Sequence, residues 1–115
     1  MSGDATPPPF TLEIEDHGST AVVHCHGKLL AGVTDLLYDP VSQILPTHQR
    51  LILDLSDLSH MDSMGLGTLV RIYVAAPRRG CSLELLNLGK RVRDLLIMTH
   101  LLSSFTIIEE HDIKL

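Results

Sequence analysis

The sequence predicts one α/β domain, with a mixed and mostly parallel sheet of about five strands, helices mainly on one side and an initial β-hairpin. Short segments of alternating apolar and polar residues are separated by segments whose apolar residues recur at helical spacing. Strands joined through helices lie parallel, whereas the first two strands are separated by a turn and pair as a hairpin. The 115 residues suffice for one domain, which we expect over 10–115 after a mobile, proline-rich lead at 1–9.

Two strands open the predicted domain. Apolar and polar residues alternate over 10–15 and again over 21–26, and this period of two is typical of half-buried strands. The turn residues at 17–19 lie between them, which predicts the hairpin. We expect a loop over 27–32.

The next predicted element is a helix that contains a proline. Apolar residues recur at helical spacing from Val33 to Leu45. Asp39 and Pro40 look like a helix cap followed by proline in the first helical position, so we expect either one kinked helix or a short helix followed by a second. Pro46 ends this segment.

A buried strand and the clearest helix follow. The almost continuous apolar run at 51–55 predicts a central strand covered on both faces, and 56–62 is a predicted link. Ser63 lies where the next helix needs an N-cap, and Pro77 and Gly80 end that helix. The helix carries an apolar stripe formed by Leu66, Leu69, Val70, Tyr73 and Val74.

The last part of the chain repeats the strand–helix–strand order. Alternation over 81–86 predicts a fourth strand, and alternation over 105–108 predicts a closing strand. Between them lies a helix that begins at Asn87 or Gly89 and has Val92, Leu95, Leu96 and Thr99 on one side.

Composition excludes several classes of function. The net charge is −5 and no basic run occurs, so nucleic acid is not an expected partner. No apolar stretch approaches the ~20 residues of a membrane span, and the amino terminus lacks signal-peptide features, so we expect a cytoplasmic protein without direct membrane insertion. Cys25 and Cys81 lie in apolar segments without metal or redox spacing, which predicts buried free thiols and no cofactor.

Two enzyme or metal hypotheses find little support in the sequence. Residues 61–65 contain half of a G-x-S-x-G nucleophile elbow, but Met61 replaces the first glycine and the chain is too short for a hydrolase fold. His24 and His26 share one strand face and could bind a metal, but no third ligand is evident, so a solvated strand face is the simpler interpretation. We therefore expect neither an enzyme nor a metal site. Two short basic clusters, at 78–79 and 90–93, are either solvated surface or a contact for an acidic partner.

Ser63 is the residue most suited to regulation. At a helix start its hydroxyl lies beside free backbone N–H groups, where the helix dipole favours negative charge. A phosphate there would add about −1.5 to −2 charge next to Asp62 and change the exposed surface without unfolding the domain. Gly65 and Gly67 each cost about 1 kcal/mol against alanine in a helix, and we expect them to keep this surface low for a large partner. The alternative is that Ser63 serves only as an N-cap.

The segment LSHMDSMGLGTLV, which follows LILDLS, resembles the STAS domain and most closely the bacterial anti-sigma factor antagonists, in which a D-S-[ST]-G-L-G motif ends a strand and opens a helix. The resemblance covers nearly all of the chain after residue 9. It implies a STAS-like sandwich and a regulator of transcription whose Ser63 is phosphorylated by a partner that is both anti-sigma factor and serine kinase. The unphosphorylated form would bind this kinase and free the sigma factor, the phosphorylated form would be released, and a phosphatase would reverse the switch.

The chain departs from the family pattern at the predicted contact surface. Met64 replaces a serine or threonine, and Lys28 and Leu30 replace the two acids of an early Gly-Glu-x-Asp loop that engages the kinase in the family. The resemblance assigns partner binding to Lys28, Leu30, Asp62, Ser63, Met64, Gly65, Leu66 and Gly67. The departures favour an alternative: a non-phosphorylated STAS scaffold subunit of a stress-signalling or membrane-transport assembly.

Overall fold

Five strands and three α-helices follow one another in the predicted order in the computed structural model, which describes residues 9–109. The strands are β1 (Phe10–His17), β2 (Thr20–Leu29), β3 (Arg50–Met61), β4 (Ser82–Leu86) and β5 (Thr106–Ile108). The helices are α1 (Asp35–Ile44), α2 (Ser63–Arg78) and α3 (Lys90–Met98), with single 3-10 turns at Leu45–Thr47 and Leu102–Ser104. The predicted mobile lead lies, up to residue 8, outside the described residues.

The strands form one mixed sheet in the order β1-β2-β3-β4-β5. β1 pairs with β2 antiparallel, and the other three pairings are parallel, which confirms the predicted fold class. The main core contains buried residues from all three helices together with one face of the sheet. The opposite face holds a smaller cluster from three strands, formed by Val22, Ile52 and Leu86 with Ile108 packed against it. The helices therefore lie on one side of the sheet, as predicted.

The two central strands extend beyond their predicted ends. β2 continues to Leu29, through part of the segment predicted as a loop, and β3 continues to Met61, through the predicted link. The extensions pair with each other, Leu29 opposite Met61, after register shifts at His24/His26 and Gly27/Lys28. These irregularities break the period of two, so the sequence pattern hides the strands, whereas the non-local pairing stabilises them.

α1 is a single helix, as in the first of the two predicted alternatives, and Asp39 and Pro40 do not cap a second helix. Thr34 is its N-cap residue, and Pro40 lies inside the helix. Leu37 and Val41 are fully buried one turn apart. Their packing against the core fixes where the helix lies and outweighs the local preference of proline for a first turn.

The face that α2 presents to the core overlaps the predicted stripe only in part, at Leu66, Leu69 and Val70. Its buried residues are Gly65, Leu66, Thr68, Leu69, Ile72 and Ala76. Tyr73 and Val74, which belong to the predicted stripe, are 42% and 46% exposed. Apolar residues cover most of the circumference of this helix, so periodicity alone allows two solutions and tertiary packing selects one. Pro77 lies within the helix, which ends at Arg78.

The remaining elements agree with the sequence. Gly89, one of the two predicted starting residues, is the N-cap residue of α3. Cys25 and Cys81 are buried and free, as predicted, and burial raises the pKa of the Cys25 thiol to about 12. Over residues 9–109 no helix is long and apolar enough to cross a membrane.

Candidate functional site

The turn from β3 into α2 is organised by Asp62, which is the N-cap residue. Its backbone is extended, and one carboxylate oxygen accepts hydrogen bonds from the backbone N–H groups of Met64 at 3.0 Å and Gly65 at 2.9 Å. Ser63 is the first residue of the helix, so the prediction that Ser63 is the cap is wrong. A carboxylate at this position satisfies the same donors as a serine hydroxyl and also interacts with the helix dipole through its full charge.

Asp62 also holds the segment that follows β2. Its second carboxylate oxygen accepts a hydrogen bond from the backbone N–H of Ala31 at 2.9 Å. The N–H groups of Ala31, Gly65 and Met64 together lower the pKa of Asp62, because they stabilise the ionised carboxylate. The structure thereby brings Leu30, which is half-buried, beside the start of α2. The exposed Lys28 lies near the end of β2, opposite His60 of β3.

Ser63 is exposed, and its hydroxyl makes no hydrogen bond within residues 9–109. Met64 is 57% exposed, and Gly67 is exposed with nothing within 4 Å of the position that a Cβ would take. We call the surface of Ser63, Met64 and Gly67 the switch surface. It combines a free hydroxyl, an apolar side chain and an uncovered stretch of helix backbone.

Gly65 and Leu66 are buried and contribute no side chain to this surface. A Cβ on Gly65 would lie 2.3 Å from the carbonyl oxygen of Leu29 and 2.7 Å from Cγ of Met61. Gly65 thus lets α2 pack closely on the end of β2, which is a different role from the low exposed surface expected for it. Leu66 is 7% exposed and belongs to the main core.

No base is placed on the Ser63 hydroxyl within the described chain. The nearest histidine in sequence, His60, has its Nδ1 3.0 Å from the hydroxyl oxygen of Ser59. The described residues also contain no group of three or more His, Cys, Asp or Glu side chains that could hold a metal ion. Nothing in this region assembles a nucleophile with a base and an orienting group.

The two histidines of β2 are ion-paired, which the sequence analysis missed. Nε2 of His24 lies 2.9 Å from a carboxylate oxygen of Glu15, and its Nδ1 lies 2.7 Å from Asp54. His26 lies between two carboxylates in the same way, with Nε2 2.8 Å from Glu13 and Nδ1 2.6 Å from Asp57. A neutral imidazole has one N–H, so two carboxylate contacts fit the imidazolium. The sequence positions of the acidic residues on β1 and β3 do not indicate that they pair with these histidines until the strand register is known.

The carboxylate contacts change the titration of both rings. The pKa of His24 is raised because its ring hydrogen-bonds Glu15 and Asp54, and the pKa of His26 is raised by Asp57 and Glu13. Hydrogen bonds from His24 and His17 in turn lower the pKa of Glu15. Beside its small apolar cluster, the helix-free face of the sheet therefore carries paired charged groups rather than independently solvated side chains.

Similar proteins agree with this architecture. A sequence model of the STAS domain family matches residues 11–112. An anti-sigma factor antagonist from Mycobacterium paratuberculosis superposes with a TM-score of 0.76 at 22% identity, over 85% of this chain and 84% of that one. The Bacillus cell fate determinant SpoIIAA in its phosphorylated form gives 0.70 at 19% identity, over 89% and 95%.

A sulfate transporter family protein from Wolinella succinogenes also has this fold, with a TM-score of 0.70 at 18% identity over 81% of this chain and 80% of that one. At such identities the solved structures show the shared fold, and the sequence model shows the family. The mixed sheet with its leading hairpin, the helices on one face and the match to nearly the whole sequence lead to one conclusion: the chain belongs to the STAS domain family.

Proposed function

We propose that this STAS domain is a cytoplasmic, non-enzymatic anti-sigma factor antagonist that binds an anti-sigma factor with serine kinase activity and is switched off by phosphorylation of Ser63. The observation that carries the proposal is the free, exposed hydroxyl of Ser63 directly after the capping residue Asp62. Similar solved structures include antagonists, one of them in a phosphorylated form.

The geometry suggests how the switch would act. The carboxylate of Asp62 already occupies the N–H groups of Met64 and Gly65, so a phosphate on Ser63 would not replace the cap. It would stand in solvent beside that carboxylate and add about −1.5 to −2 charge to the switch surface. A partner that packs against Met64 and the backbone at Gly67 would then meet a charged, hydrated group, which disfavours binding. Lys28 and Leu30, next to this surface, would contact the same partner.

Paired affinity captures test the proposal. The baits are wild type, Ser63→Asp, Ser63→Ala and Ser103→Asp, the last of which adds the same charge at an exposed serine on another part of the surface. We expect a serine kinase to be retained by every bait except Ser63→Asp, and mass spectrometry of the protein isolated from its own cells to find phosphate on Ser63. Retention of that kinase by Ser63→Asp, or its capture by none of the baits, would contradict the proposal.

The alternative is a scaffold subunit of a stress-signalling or membrane-transport assembly, in which Ser63 is an unmodified surface residue. It is favoured by Lys28 and Leu30 and by the likeness to a sulfate transporter family protein. In that case all four baits would retain the same assembly or transport components, and Ser63 would carry no phosphate.

A further inference from the structure

An open groove with a volume of about 430 Å³ lies between α1 and α2, apart from the switch surface. Tyr38 of α1 lines it together with Arg79, which directly follows α2, and one side of α2, namely Val70, Arg71, Val74, Ala75 and Arg78. Its surface is thus partly apolar and partly cationic. Val74 is nearly half exposed, which is costly for an apolar side chain that contacts only water.

Among the described residues, the three arginines of the groove have no acidic partner. Arg71, Arg78 and Arg79 make no ion pair within the part of the chain that the structure describes, and the two carboxylates of α1, Asp35 and Asp39, pair with none of them. By contrast, Arg50 and Lys90 are paired: Arg50 hydrogen-bonds Glu84 at 2.6 and 2.8 Å, and Nζ of Lys90 lies 2.8 Å from Asp94. In a chain of net charge −5, such a group of unpaired guanidinium groups forms a local positive surface.

One of these guanidinium groups is held in place by an aromatic ring. The guanidinium carbon of Arg71 lies 3.8 Å from the ring centroid of Tyr38. This stacking leaves the N–H donors at the edge of the guanidinium plane available for a carboxylate. Because the side chain is already ordered, binding a ligand would cost less conformational entropy.

The spacing along α2 defines the complementary ligand. Arg71 and Arg78 are seven residues apart, which places them on the same side of the helix about 10 Å apart along its axis. Val74 and Ala75 lie between them on that side. A ligand with two carboxylates about 10 Å apart and apolar groups between them would match both the charges and the apolar surface. On a partner helix the matching pattern is Glu-x-x-Leu-Leu-x-x-Glu.

We propose that the α1–α2 groove binds an acidic, amphipathic helical segment of a protein partner. Carboxylates of that segment pair with Arg71 and with Arg78 or Arg79, and its apolar side chains cover Val74 beside Tyr38. The proposal rests on the groove alone and does not require phosphorylation of Ser63 or the identity of the kinase.

The test uses the full chain and a fluorescein-labelled, 18-residue peptide that carries the Glu-x-x-Leu-Leu-x-x-Glu pattern in an alanine-rich helix. Fluorescence anisotropy in about 50 mM salt should show saturable binding, and about 300 mM salt should weaken it several-fold. The combined change Arg71→Gln and Arg78→Gln should weaken binding at least tenfold, whereas Arg91→Gln, at an exposed site on α3, should leave it within about twofold.

Tyr38 provides a second, independent measurement. Tyr38→Phe keeps a ring beneath Arg71 and should retain binding, whereas Tyr38→Leu removes the stacking and should weaken it several-fold. A peptide with both glutamates replaced by glutamine should not bind. Absence of saturable binding to wild type, equal losses for the groove and Arg91 variants, or equal binding of the glutamine peptide would overturn the proposal. Circular dichroism of each variant confirms that it is folded.

Discussion

Gly65 and Gly67 allow a sharp test of how α2 packs on the sheet. Both lie in the first turns of the same helix, and each replacement by alanine adds one methyl group. At Gly65 the added carbon would lie 2.3 Å from the carbonyl oxygen of Leu29, about 1.1 Å inside ordinary van der Waals contact at 3.4 Å. At Gly67 nothing lies within 4 Å of it. Gly67→Ala is therefore the matched control for Gly65→Ala.

The expected magnitudes follow from two opposing effects. Alanine stabilises a helix by about 1 kcal/mol relative to glycine, and at Gly67 this gain is unopposed. At Gly65 the clash is with a backbone atom, so α2 must shift away from the core, and overpacking of this kind costs up to about 3 kcal/mol. We expect Gly65→Ala to lower the free energy of unfolding by about 2 kcal/mol and Gly67→Ala to raise it by about 0.5–1 kcal/mol.

Urea unfolding followed by circular dichroism measures both changes under the same conditions. The two variants should differ by about 2.5–3 kcal/mol in free energy of unfolding, with similar dependence on urea concentration. If Gly65→Ala were as stable as Gly67→Ala, the close approach between α2 and the end of β2 would be refuted, together with the structural reason given for Gly65.

Three further predictions concern the cap, the histidines and a thiol. Asp62→Ala should lower the midpoint of thermal unfolding by about 5 °C because two capping hydrogen bonds are lost, whereas Ser63→Ala should leave it unchanged; equal effects would contradict the assignment of the cap. The raised pKa values of His24 and His26 mean that the folded state binds their protons more tightly than the unfolded state. Their stabilisation is therefore complete below the ordinary value of 6.5 and is lost as the pH rises through the raised values. Urea unfolding should show a lower free energy of unfolding at about pH 8 than at about pH 6, and replacing both histidines by glutamine should reduce this difference. An equal difference in the variant would refute the ion pairs. Cys25, buried and with its pKa raised to about 12, should not react with a thiol reagent at about pH 8 until the protein unfolds, and rapid reaction of the native protein would contradict its burial.

The order and type of the elements could be read from the sequence because they depend on local periodicity. The alternation over 10–15 and 21–26 marks two strands with only a turn between them. A connection this short allows the two strands to pair as an antiparallel hairpin. Helical spacing between the later strands requires crossovers, which makes those strands parallel. Neither inference needs knowledge of which residues meet in space.

The ends of β2 and β3 could not be read in this way. Their last residues pair with each other across two register shifts, so the contacts that stabilise them join segments about 30 residues apart. The same limit applies to the α2 face. Several apolar residues around that helix fit a stripe, and the close approach that Gly65 permits at Leu29 decides which of them are buried.

At the candidate site, too, some features follow from local sequence and others only from the packed fold. The sequence alone placed Asp62 and Ser63 at a strand-to-helix turn, because an acid and a serine before a helical pattern indicate a helix start. Tertiary structure decided that the acid caps the helix and also binds the backbone N–H of Ala31, which leaves the Ser63 hydroxyl free. It likewise brought His24 between two carboxylates and Tyr38 beneath Arg71. Local pattern determines which elements form, whereas capping, charge pairing and stacking depend on distances between residues far apart in the chain, which only the packed fold sets.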